Sequence, residues 1–257
     1  VVFGIRPGDL LALAREAQRG PTSIGHVVVS GPGAAELAEA LAAGGDRSRL
    51  VVAGDPSTAA AVVRVVGATI TAADEAVLRV GARAGAHVVA VRRGRGSATV
   101  PYVLATDVVQ WPDGAAVPAT ELATVLVHGL GERAPGLSAA LPLLREQALR
   151  RTILETSVGA AGLVAISDRS AAMLPTLSLL QTRMLRRVRL LDGQAPPTAP
   201  ADVARAVGPE LVAALVTGLA CRGVARRLPA DGRLVRSAVA FVGTAGLGAL
   251  ARRLPLS

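Results

Sequence analysis

Val27-Val28-Val29-Ser30-Gly31-Pro32-Gly33-Ala34-Ala35-Glu36-Leu37 decides the fold of this chain. It places an apolar β-branched run, a Gly-Pro-Gly turn and the start of an Ala/Leu/Glu helix in direct succession. Strand, glycine turn and helix is the layout in which backbone N–H groups and the positive end of a helix converge on an anion. Gly31, Gly33 and Ala34 are therefore the candidate anion-binding positions.

The side chains that turn such a layout into a nucleotide site are absent. A phosphate loop carries Gly, four residues and then Gly-Lys-Ser/Thr, because the lysine reaches the terminal phosphates and the hydroxyl holds magnesium. Counted from Gly31, those three positions are Glu36, Leu37 and Ala38. The dinucleotide pattern fails at the same place, since Gly31 and Gly33 fit its first two glycines and Glu36 stands at the third.

Outward from this turn, short apolar runs alternate with Ala-rich helical stretches. The predicted elements are a helix from Leu10 to Ala17, a strand at His26–Ser30, a helix at Ala34–Ala43 and a strand at Leu50–Ala53. A helix opened by Asp55-Pro56 and running to about Val65 follows, then a third strand at Ala68–Ile70 and a helix at Ala73–Ala84 capped by Thr71 or Asp74. His87–Val91 reads as a strand, followed by the loop Arg92–Gly96, a strand within Pro101–Trp111 and a helix at Pro118–His128. Apolar runs of this length between helices indicate βαβ units and a mostly parallel sheet buried on both faces.

After Gly129-Leu130-Gly131 the strand signals stop. Pro142–Ala165, Ser170–Leu191, Pro209–Leu228 and Arg233–Leu254 read as helices, with the Pro-rich loop Asp192–Pro200 among them. Glycines such as Gly159, Gly218, Gly243 and Gly248 lie inside these helices at a cost of about 1 kcal/mol each relative to Ala, which points to close helix contacts. The predicted architecture is a three-layer, Rossmann-like α/β domain over residues 1–133 followed by an all-α domain over 134–257.

Composition agrees with that division. Of 257 residues, 51% are hydrophobic and only 2% aromatic, so the core is built from Ala, Val and Leu. Lysine is absent, which excludes a phosphate-loop lysine, a Schiff-base lysine and an Asn-Lys-x-Asp guanine motif. Residues 1–144 hold 12 arginines and 12 acids, whereas 145–257 hold 16 arginines against 7 acids; the whole +9 formal charge lies in the second part. That asymmetry points to an acidic partner surface, anionic lipid or nucleic acid. A single cysteine excludes an intrachain disulfide, and Arg6, Pro7 and Asp9 argue against a signal peptide; the expected setting is cytoplasmic, peripheral at the inner membrane face. The uncharged runs Ser170–Thr182 and Ser237–Ala251 fall short of the roughly 18 residues of an ordinary spanning helix.

Asp55, after the second strand, stands where an acid approaches a metal or nucleotide, and equally where Asp before Pro caps a helix. His26, His87 and His128 share no ligand spacing, and Ser30, Ser57 and Ser97 lack a nucleophile elbow. No catalytic residue, metal site or cofactor is expected. In the helical part, Arg183, Arg186 and Arg187 recur at three and four spacing opposite Leu177, Leu180, Met184 and Leu191. They are the candidate contacts to a partner or an acidic membrane. Specific nucleic-acid binding is not expected, because Phe241 is the only aromatic residue of the helical part and offers no stacking platform.

Three stretches together, Leu177-Ser178-Leu179-Leu180-Gln181-Thr182-Arg183-Met184-Leu185-Arg186-Arg187, Arg222–Leu228 and Ala238–Gly248, resemble the YcjF-like bacterial family, the domain of unknown function 697. The specific parts are the Leu-x-x-x-Gln-x-x-Met core and the Gly-Thr-x-x-Leu-Gly tail, and the likeness covers roughly residues 140 to 254. That family is often fused to, or encoded beside, Era-like small GTPase domains, and the first part of this chain is similar to one in element order. The resemblance places Gly31 and Gly33 near the phosphate loop, Asp55-Pro56 at the Asp-x-x-Gly position and Arg92-Arg93-Gly94-Arg95 at the guanine-reading motif. Each departs from the GTPase pattern. What it implies is a degenerate GTPase-like domain joined to a basic helical domain: a non-enzymatic adaptor whose partner is a protein, a GTPase among the candidates, or an anionic membrane. The alternative is a regulatory domain that binds a nucleotide or anion through the backbone amides of Gly31 to Ala35.

Overall fold

A computed structural model describes residues 25–94, 96, 99–166, 174–194, 200–227 and 233–253. The expected helix at Leu10–Ala17 lies outside them. The first part is a five-stranded, all-parallel sheet of order β2-β1-β3-β4-β5, built from β1 (Val27–Ser30), β2 (Leu50–Val52), β3 (Ala61–Val66), β4 (His87–Arg93) and β5 (Val108–Trp111). Val28 lies between Val51 and Val62, and Val63 pairs with Val89. Val27, Val28 and Val29 are fully buried, as strands covered on both faces must be.

Helices close both faces. α1 (Ala34–Ala42) and α3 (Ala119–Leu130) pack together on one side, whereas α2 (Ala72–Arg83) sends Val77 and Leu78 to the other. The Rossmann-like, three-layer arrangement predicted from the sequence is what the chain forms. α2 opens with a capping box: Thr71 N–H donates to the Asp74 carboxylate at 2.9 Å and Asp74 N–H donates to Thr71 Oγ1 at 3.2 Å. Arg64 of β3 completes the site with a 2.7 Å ion pair to Asp74. Burial raises the Asp74 pKa, but the Thr71 hydrogen bonds and Arg64 together outweigh it and hold the carboxyl below its ordinary value.

Three expectations are corrected here. The segment read as a helix from Asp55 to Val65 contains β3, the strand between β1 and β4. A strand buried on both faces reads as a continuous apolar run, which periodicity alone does not separate from a buried helix. Ala68–Ile70 is not a strand but the lead into the α2 cap. Of Pro101–Trp111, only Val108–Trp111 is β-structure.

Because β3 begins at Ala61, the β2-to-β3 crossover has no helix. Residues 53–60 run past β1 instead, with Ala53 N–H donating to the Val29 carbonyl and Ala60 N–H to that of His26, each at 2.9 Å. Ala59 is buried against Val28 and Val62, so this short segment covers the sheet where a helix would otherwise lie.

The chain divides into compact units between Ala148 and Leu149, beyond the boundary at 133 expected from the sequence. The reason lies in α4 (Ala134–Ala140) and the first turns of α5 (Pro142–Ile166). Asp46 N–H donates to the Ala140 carbonyl at 2.9 Å, and Leu137, Leu141 and Leu144 are fully buried, which ties this stretch to the α/β unit. The second unit contains the rest of α5, α6 (Leu174–Leu191), α7 (Pro200–Arg227) and α8 (Arg233–Arg253). α7 begins nine residues before Pro209 and continues through it, where the sequence placed its start.

Candidate functional site

The order β2-β1-β3-β4-β5 reverses direction between β1 and β3, and in open parallel sheets ligands bind beyond the carboxyl ends of the strands at such a point. The Gly31–Gly33 turn is located there. Gly31 has φ +104°, and a Cβ on it would fall on the Val65 carbonyl oxygen of β3. Only glycine fits. Gly33 caps α1 at φ +80° with no side-chain hydrogen bond; Ala34 N–H donates to Gly31 O at 3.2 Å and Leu37 N–H to Gly33 O at 3.0 Å.

The space beside Gly33 is already occupied. A Cβ there would lie 3.2 Å from Arg93 Nη1 and 3.2 Å from Cη2 and Cζ3 of Trp111. Trp111, the only tryptophan of the chain, is 3% exposed and donates its indole N–H to the Ala115 carbonyl at 3.2 Å. The Arg93 guanidinium lies 4.9 Å from the ring centroid, a cation–π geometry. Exposed Glu36 stands in the first turn of α1, where a carboxylate already complements the helix dipole. Sequence reasoning placed Arg92 and Arg93 in a loop and did not bring them or Trp111 to the turn. In the structure both arginines end β4; Arg92 is buried and donates to the Gly96 carbonyl at 2.7 Å.

Asp55 caps no helix, contrary to expectation. Its Oδ1 accepts from Ser57 N–H at 2.9 Å, and its carbonyl accepts from Thr58 Oγ1 at 3.3 Å, a local turn in the helix-free crossover. The Ser57 hydrogen bonds lower its pKa. Asp55 is exposed, and its hydrogen bonds stay within that turn. His87 is half-buried near Gly129 of α3, with Nδ1 3.9 Å from Asp107; partial burial depresses its pKa and Asp107 opposes that shift. Among the described residues no cluster of His, Cys, Asp or Glu could hold a metal ion.

The arginine trio of α6 is not one solvent face. Arg183 is exposed and Arg187 half-buried, but Arg186 is only 8% exposed. It is turned toward the α6–α7 interface, where Glu210 is wholly buried and lies 3.1 Å from Arg189 Nε. Burial pushes the Glu210 carboxyl up to about 7 against the pull of Arg189 and Arg186, and burial likewise lowers the Arg186 pKa against that of Glu210. Arg186 is thereby removed from the predicted docking surface. Its 3.6-residue spacing fixes a side of the helix but not what that side meets. Glu210 itself gave a signal that went unused, an acid adjoining the uncharged run from Leu211 to Cys221.

The two most distinctive sequence stretches of the helical part meet inside it. Gln181 Nε2 donates to Thr244 Oγ1 at 2.9 Å with both residues fully buried, and Met184 packs on Leu247. Gly243 gives room to the Cys221 thiol and Gly248 to Ile153. These motif residues therefore hold helices together, as small residues and buried hydrogen bonds do where helices approach closely.

No family model, curated protein or solved structure matches this chain.

Proposed function

We propose that this chain is a non-catalytic adaptor. Its α/β unit keeps the layout of a nucleotide domain of the Era-like kind without the nucleotide chemistry, and its helical unit supplies a docking surface. The observation that carries this reading is the filled turn. Trp111 and Arg93 occupy the space beside Gly33, Val65 closes on Gly31, and Glu36 supplies the negative charge that the helix end would otherwise draw from a phosphate. The absence of lysine from the sequence supports the same conclusion.

Calorimetric titration of the intact chain with GTP and with ATP, each with magnesium, tests the proposal. No saturable heat up to millimolar ligand is expected. Micromolar binding would overturn the reading.

One observation favours the second reading, an anion-binding regulatory domain. The Arg93 guanidinium beside Gly33 is a cation next to the start of a helix, a combination that favours an anion. On that reading inorganic phosphate binds the native chain, and Arg93→Ala abolishes the binding while leaving the fold intact.

A further inference from the structure

The helical unit buries polar side chains within its apolar core and leaves apolar ones on its surface. Gln181, Thr182, Ser178, Thr244 and Glu210 are buried, whereas α7 exposes Val212, Val216 and Leu219 at three and four spacing. α8 exposes Leu234, Ala238, Val242, Gly246 and Leu250, every fourth residue along its length; Leu234 is 85% exposed and Val242 66%. Exposed valines and leucines scattered singly need no explanation, but continuous stripes mark a surface that something covers.

Residues 234–252 of α8 have a mean hydropathy of 1.6, long and apolar enough by length and composition to cross a membrane. Their uncharged core, Ser237–Ala251, is bounded by Arg233 and Arg236 before it and by Arg252 and Arg253 after it. At 1.5 Å per residue that core extends roughly 22 Å, less than the ~30 Å of a bilayer's hydrocarbon layer. It fits a helix that enters the acyl region while Arg236 and Arg252 reach back to the headgroups.

We propose that the outer faces of α7 and α8 dock the helical unit into the surface of an anionic bilayer. Acyl chains cover Val212, Val216, Val242 and Leu250, and Arg236 and Arg252 lie at the level of lipid phosphates. This names the occupant of the docking surface assigned above and rests on that reading. Two features favour lipid over protein. The stripes contain no aromatic residue, whereas the centres of protein interfaces are enriched in Trp, Tyr, Phe and Met. And the basic excess of this part of the chain complements anionic headgroups.

The test is flotation of the intact chain with phosphatidylcholine vesicles, with and without phosphatidylglycerol, alongside light scattering of the lipid-free protein. The chain is expected to float with the anionic vesicles. The double variant Val216→Ser, Val242→Ser should weaken partitioning about tenfold. Arg236→Gln with Arg252→Gln should weaken it by a further factor on the order of ten, on anionic vesicles only. Circular dichroism confirms that each variant keeps its helices. Equal flotation on neutral vesicles would overturn the anionic-lipid assignment. No flotation, with a dimer that Val242→Ser dissociates, would overturn lipid as the occupant but leave the docking surface standing. A monomer that binds neither vesicle would overturn both.

Discussion

Gly31 is the residue on which the α/β unit depends most sharply, because two constraints coincide there. Its backbone is left-handed, and the Val65 carbonyl occupies the position of any β-carbon. Gly44 has φ +81° but open space around it. Gly31→Ala should therefore cost roughly 3 kcal/mol or more and Gly44→Ala only about 1 kcal/mol. Urea denaturation followed by the emission of Trp111 separates the two. The turn was legible from Val27–Leu37 because glycine at such positions has few other uses, but its covering by Arg93 and Trp111 was not, since those residues come from strands far along the chain. Glu210 makes a second residue-scale prediction. Its folded pKa of about 7 exceeds the ordinary value of 4.5, so the folded state holds its proton while the unfolded state releases it. The resulting stability is fully present below about pH 4.5 and is lost as pH rises toward 7. Thermal melts of the helical signal should lose Tm across that interval, and Glu210→Gln should flatten this dependence; an unchanged slope in the variant would refute the assignment. His87 acts in the opposite sense, since its depressed pKa makes stability fall as pH drops below 6.5.

Among the elements, α2 and β3 mark what a sequence discloses and what it conceals. The α2 cap was readable because Thr71 and Asp74 carry their chemistry within four residues of each other. Thr71→Ala should cost roughly 1 kcal/mol, measured by chemical denaturation. β3 was concealed because Ala59–Val66 satisfies a buried helix and a buried strand equally well. What decides the matter is the neighbouring pair, β1 and β4, whose free edges can be joined only by a strand. The helices of the second unit were legible from their Ala/Leu/Val runs, but the direction in which each face points was not. Arg186 counted as exposed until α7 brought Glu210 beside it. Gln181 and Thr244 show the same dependence on partners. A double-mutant cycle of Gln181→Leu and Thr244→Val should return a coupling of about 1 kcal/mol, since each single change leaves a buried polar atom unpaired. Independent effects would mean that the hydrogen bond does not hold α6 to α8.

At the scale of the whole molecule, the chain combines a sheet whose strand-order reversal is lined by Trp111 and Arg93 with helices that bury some polar side chains and expose apolar ones. On the proposed reading, the first feature leaves the α/β unit without nucleotide chemistry, and the second gives the helical unit an outer surface to be covered. Neither feature was written in composition alone. The +9 charge points to the second part of the sequence for the proposed docking, yet the stripes that the structure exposes there are apolar and only bordered by arginines. Because the sole tryptophan lies against Gly33, the turn carries its own reporter. The most direct measurement is a titration of the intact chain with magnesium GTP, and in parallel magnesium ATP, following Trp111 emission. An adaptor with a filled turn predicts no saturable change through the millimolar range; a saturable change with micromolar midpoint, lost in Gly33→Ala, would contradict it.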